Sequence, residues 1–148
     1  YMGYENEMKI EFDSRSCNEG FIRVAVSAFM TQLNPTLEEV ADVKTAVSEA
    51  VTNCIVHAYD GKVEKITVSC HIEGNALCLS VKDTGCGIPR ERQERVFNRF
   101  EKLNEFKQGT GLGLAICKQI VLRFGGNIWI DPEYTEGARF VFSHPIVP

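Results

Sequence analysis

The sequence predicts an α+β two-layer sandwich, with helices packed on one face of a mixed sheet. Three observations carry this. Apolar residues alternate with polar ones near the start of the chain, the mark of a half-buried strand. Two stretches with helical apolar spacing follow before the next strands. The whole order reads β-α-α-β-β-α-α-β-β, which does not alternate strictly and so argues against a parallel α/β sheet.

Each element has a local cause. Met8, Ile10 and Phe12 alternate with Glu7, Lys9 and Glu11, so residues 7–12 form a strand. Ile22, Ala25, Val26, Phe29 and Leu33 recur at helical spacing over Asn18 to Leu33, and Asn34-Pro35 ends that helix. Thr36 and Glu39 match a capping box opening a second helix, which runs to about Tyr59 and stops at Asp60-Gly61. Strands at Ile66 to Ile72 and Ala76 to Val81 are joined by Glu73-Gly74-Asn75. A glycine-rich loop from Gly85 to Pro89 and a short polar helix from Arg90 to Asn98 come next. A helix from Leu112 to Phe124 stops at Gly125-Gly126, and strands near Asn127 to Ile130 and Ala138 to Ser143 close the chain.

Composition bounds the function classes. A chain of 148 residues fits one domain, 1–148, with residues 1–6 expected as a tag remnant or frayed end. The net charge of −4 argues against a nucleic-acid partner, which needs clustered Lys and Arg. None of the 6 cysteines forms a CxxC pair, so no zinc site is expected, and several sit in apolar runs as small hydrophobes. No apolar run is long enough to span a membrane. With no signal peptide in view, a reducing cytoplasm is the expected setting.

Three constellations carry chemistry. Glu49 and Asn53 are four apart, so both lie on one helix face among small and apolar neighbours. An amide oxygen from Asn53 suits Mg²⁺, a hard cation that takes oxygen ligands and leaves room for phosphate. Glu49 could then orient or deprotonate an attacking group. The bland alternative is a solvated helix edge. Asp83, at a strand end, is followed by Gly85, Gly87 and Ile88, so a carboxylate can face a pocket whose glycines admit a ligand closely. It could accept from the exocyclic amine of adenine; the alternative is an ordinary β-turn. Gly109, Thr110, Gly111, Leu112 and Gly113 stand directly before a helix, where backbone N–H groups and the helix terminus favour phosphate. They form neither a Walker loop nor a Rossmann fingerprint.

Taken together, these motifs resemble the gyrase, heat-shock chaperone, histidine-kinase and MutL superfamily of ATPases and kinases. Glu49 to Asn53 resembles its N box and Asp83 to Gly87 its G1 box. Phe97-Asn98-Arg99-Phe100 resembles the F box, Gly109 to Gly113 the G2 box, and Glu136-Gly137-Ala138 the last glycine motif. The resemblance covers nearly the whole chain and implies a Bergerat-type sandwich that binds ATP and Mg²⁺. Ala138 stands where the family usually has Thr, which removes a hydroxyl from the adenine pocket.

Within the superfamily the two halves differ. Residues 7–88 resemble the anti-sigma-factor serine kinases of sporulating bacteria, through residues 18–26 and 47–59. From residue 89 the chain resembles a sensor histidine-kinase catalytic domain, through residues 95–102 and 109–116. A crossover near residues 83–89, engineered or divergent, would account for this. The first resemblance implies that Glu49 activates a hydroxyl on an anti-anti-sigma protein. It further implies that Arg23 contacts that protein or the sigma factor, and that the first strand and helix form a homodimer face. Lys102 and Lys107 could reach the phosphates from the lid. His57 is expected to be structural or to stand behind the residues that meet the nucleotide, with a phosphate contact as the lesser alternative. The 48 residues before Glu49 hold no His, so phosphorylation of a His in cis is not expected. A histidine kinase acting in trans and a non-catalytic nucleotide-dependent binding module are the competing readings.

Overall fold

A computed structural model describes residues 4–58, 62–85, 87–93, 97, 118–119, 121–122 and 125–146. Its five strands are β1 (Tyr4–Asp13), β2 (Lys65–Gly74), β3 (Ala76–Lys82), β4 (Asn127–Ile130) and β5 (Arg139–Pro145). Two long helices, α1 (Cys17–Met30) and α2 (Leu37–Asn53), lie between β1 and β2.

The strands form one sheet in the order β1-β2-β3-β5-β4. Among the described residues every pairing is antiparallel, where the sequence led us to expect a mixed sheet. The reason is topological. Two helices between β1 and β2 reverse the chain an extra time, so β2 returns opposite to β1. At the other end β5 inserts between β3 and β4, which run the same way but never touch. Because β3 pairs with β5, the two halves of the chain share this sheet across residues 83–89. Tyr4, Glu5 and Asn6 are strand residues rather than a frayed end, because they pair with Gly74, Glu73 and Ile72.

The core lies between the helices and one sheet face. Ile22, Val26 and Met30 of α1, four residues apart, are fully buried, as are Val47, Ala50 and Val51 of α2. They meet Ile66, Val68 and Ile72 of β2, Val81 of β3 and Phe140 of β5. Alternation puts Ser69, Ser80 and Val141 on the opposite sheet face, one residue out of step with that core.

The local signals act as their chemistry requires. Thr36 Oγ1 accepts from the Glu39 amide at 3.1 Å, and Glu39 Oε1 accepts from the Thr36 amide at 2.8 Å. That reciprocal box explains why Glu39 is buried. Thr36→Ala should therefore lower unfolding free energy by about 1 kcal/mol, read by urea denaturation; an unchanged midpoint would show that the cap contributes nothing. Asn34 ends the first helical segment in a left-handed conformation (φ 51°), ahead of Pro35. α2 passes at Asn53 straight into a π-helical turn, Cys54–Ala58, so the chain stays helical nearly to the expected end at Tyr59. The expected stop at residues 59–61 lies outside the described residues. Arg90–Arg92 forms a single 3-10 turn, and the helix expected beyond it to Asn98 mostly lies outside them too. Residues 118–119 and 121–122 are helical. The Gly125 amide donates to the Leu122 carbonyl and the Gly126 amide to the Val121 carbonyl, the paired bonds of a Schellman stop. Among the described residues no helix is long and apolar enough to cross a membrane.

Candidate nucleotide-binding site

The site is built where the end of α2 meets the end of β3. Glu49 and Asn53 occupy the last turn of α2, both half-buried. Asn53 Nδ2 donates to the backbone carbonyl of Glu49 at 2.7 Å. That bond commits the nitrogen of the amide to the helix and leaves its oxygen as the ligand end. Such an oxygen fits a hard cation such as Mg²⁺. Burial, and then the negative charge of Glu19, push the Glu49 carboxyl above its ordinary value. Glu19 lies 3.8 Å from Arg23 one turn along α1, and both side chains are partly exposed. Arg23 therefore belongs to an ion pair on the helix packed against α2.

Asp83 follows β3 and is only 2% exposed. Its Oδ1 accepts from the amides of Gly85 and Ala138, both at 3.0 Å. Its own amide donates to the Ala138 carbonyl at 2.9 Å. These bonds supply the partners that a buried carboxylate needs. Oδ2 takes neither amide bond and so retains acceptor capacity for a ligand amine. Close approach makes two glycines obligatory. A Cβ at Gly137 would overlap the Asp83 carbonyl oxygen and stand 2.7 Å from Oδ1. Gly87 has φ +74°, and a Cβ there would come 3.2 Å from the Gly137 carbonyl. Ile88 packs, partly buried, against the core.

Two contributors had no sequence motif. Tyr134 Oη donates to the Asp83 carbonyl at 2.7 Å. Cys54, directly after Asn53, is buried, and its thiol hydrogen-bonds the Asp83 carboxylate. Burial first, then the charge and hydrogen bond of Asp83, push that thiol well above its ordinary value. Cys54 and Asp83 thus bring the end of the Glu/Asn helix and the start of the aspartate loop together beside the shared apolar core. Burial likewise pushes the Cys70 thiol up to about 12. The thiolate is the reactive form. Iodoacetamide at pH 8 should therefore modify exposed Cys17 in the folded protein, and Cys54 and Cys70 only after denaturation. Peptide mapping checks this, and rapid native alkylation of Cys54 would contradict it.

Of the remaining expected residues, Phe97 is buried, with Lys118 Nζ 5.5 Å from its ring centroid. Asn98, Arg99, Phe100, Lys102, Lys107 and the lid residues Gly109, Thr110, Gly111, Leu112 and Gly113 lie outside the described residues, as does the His57 side chain.

The sheet, the two helices and the match of a family model place the chain in a class of ATPase domains. The family model "Histidine kinase-, DNA gyrase B-, and HSP90-like ATPase" matches residues 38–148. An anti-sigma F factor of Thermoanaerobacter sp. (strain X514) is 54% identical over 117 residues, 79% of this chain and 80% of that protein. Another, from Clostridium kluyveri, is 40% identical over 143 residues, 95% of this chain and 94% of that protein. Alignments of these lengths must run across residues 83–89, so the change of resemblance there falls inside a single family match. The catalytic domain of histidine kinase ThkA superposes with a TM-score of 0.63 at 23% identity, covering 95% of this chain and 99% of that one, a likeness of fold. The chain belongs to the histidine kinase-, DNA gyrase B- and HSP90-like ATPases and, within them, to the anti-sigma F factor family.

Proposed function

We propose that this chain is a serine kinase of the anti-sigma type, working in the cytoplasm of a sporulating cell. In this reading it binds ATP with Mg²⁺ and transfers the γ-phosphoryl group to a hydroxyl of an anti-anti-sigma protein. In the complementary state it holds a sigma factor. The observation that carries the reading is the turn that presents Glu49 and Asn53 together. There the Asn53 oxygen is left for a metal, and the Glu49 carboxyl is shifted upward by burial and by Glu19.

The roles follow from position. Asp83 Oδ2 accepts from the adenine amine, and Gly85, Gly87 and Ile88 shape the base pocket. Asn53 would hold Mg²⁺, whose contribution when bound is to neutralise charge on the phosphate oxygens. Gly109 to Gly113 and Lys102 cover the phosphates. Glu49 takes the proton of the substrate hydroxyl as its oxygen bonds to the γ-phosphorus and the bond to ADP breaks. Phosphoryl transfer depends on positioning and charge stabilisation, so few further groups are needed. Arg23 meets the protein partner. β1 and α1 form the face between two copies, a reading supported by exposed Phe21 and Val24 on α1.

A second reading, phosphoryl transfer in trans to a His, is favoured by the lid sequence from Gly109 to Leu114 and by buried Phe97 of the F box. One experiment separates the two. The intact protein is incubated with γ-labelled ATP and Mg²⁺, and offered an anti-anti-sigma protein or a His-bearing dimerisation helix pair. Acid-stable label on the first supports the serine kinase. Acid-labile label on the second alone would overturn it.

A further inference from the structure

The loop between β4 and β5 is built to hold Asp83. Asp131 opens it, donating its amide to the Arg139 carbonyl at 2.9 Å. Asp131 Oδ1 accepts from the Glu133 amide at 3.0 Å and Oδ2 from Arg139 Nη1 at 2.6 Å. The loop is thus tied at its neck. Its far end reaches Asp83 three ways: the Tyr134 hydroxyl to the carbonyl, the Ala138 amide to the carboxylate, and the Ala138 carbonyl to the Asp83 amide. The Tyr134 ring is itself held by Lys82, whose Nζ lies 5.9 Å from the ring centroid, within cation–π range.

These contacts divide the work. The Ala138 carbonyl accepts from the Asp83 amide as adjacent antiparallel strands do anyway, and the Ala138 amide grips carboxylate Oδ1 directly. Tyr134 is different, because a side chain reaches back 51 residues in sequence to the peptide that sets the Asp83 backbone. With Oδ1 held by the Gly85 and Ala138 amides, the position of that peptide sets where the other carboxylate oxygen lies. We propose that Tyr134 is a positioning residue for base specificity, holding the Asp83 peptide so that Oδ2, the carboxylate oxygen that takes neither amide bond, meets an exocyclic amine at the purine 6-position. The inference rests on Asp83 as the base-recognising residue, and it adds a specificity determinant to that reading. Tyr134 does not touch the nucleotide. It acts through Asp83.

The test compares ATP with purine riboside triphosphate, which lacks the 6-amine, by equilibrium titration in Mg²⁺. Wild-type protein should prefer ATP. In Tyr134→Phe, which keeps the ring and loses the hydroxyl, ATP should bind about fivefold to tenfold more weakly, the value of one hydrogen bond. Affinity for the analogue should be nearly unchanged, so the preference collapses. Lys82→Ala leaves the hydroxyl in place but loosens the ring, and should reduce the preference by about twofold. Equal weakening of both nucleotides in Tyr134→Phe, the mark of a merely structural residue, overturns the proposal. So does an unchanged preference in both variants. A wild-type protein that binds neither nucleotide, or binds both equally, overturns the reading of Asp83 itself and this inference with it.

Discussion

Replacing Glu49 with Ala is expected to lower phosphoryl transfer by about 10²- to 10⁴-fold, the range for removing a positioned general base. ATP affinity should change little, because Asp83 and Asn53 remain. Within the helix it is the Glu49 backbone carbonyl, not its carboxylate, that accepts from Asn53. The pH dependence has a definite sign. A base works when deprotonated, so transfer falls as pH drops through the Glu49 pKa. Burial and Glu19 raise that pKa, placing the acid limb above where a solvated Glu would put it. Glu19→Gln removes the repelling charge and should move the limb to lower pH. Single-turnover rates across pH check both points. Full activity in Glu49→Ala would remove Glu49 from the chemistry, and an unmoved limb in Glu19→Gln would show that the repulsion is negligible.

Converting Asp83 to Asn should weaken ATP binding by about 10- to 100-fold, the value of a hydrogen bond to a charged group. The substitution is close to isosteric. The amide oxygen can still accept from Gly85 and Ala138, which hold it at 3.0 Å. The amide nitrogen must then occupy the other position, where it opposes the adenine amine donor to donor. The protein should still fold, because the paired amides keep an acceptor, and thermal melting checks this. Unchanged ATP affinity in a folded Asp83→Asn variant would mean that the base is read elsewhere.

How much was legible depended on whether a feature was local. The Thr36–Glu39 box, the Asn34-Pro35 break and the glycine stop after residue 124 are written in neighbouring residues, and the structure has all three. Sheet direction was not legible, because it depends on how many times the chain reverses between strands. The helical stretch from residue 37 to 58 was legible, but its change to a π-helical turn was not, because that turn keeps the same apolar residues in sequence. At the site, Asp83 and its glycines could be found from a short motif. Tyr134 could not, since only the alignment of β3 with β5 brings it to Asp83. Cys54 was read as a small hydrophobe. Its burial agrees, but its bond to Asp83 exists only because α2 and β3 end at the same place.

Calorimetric titration of the intact chain with ATP and with GTP, each with and without Mg²⁺, bears most directly on whether Asn53 and Asp83 form one nucleotide site. Saturable binding of one ATP per chain, tightened by Mg²⁺ and at least about tenfold stronger than GTP, is the expected result. No ATP binding, or equal affinity for ATP and GTP with no response to Mg²⁺, would contradict it.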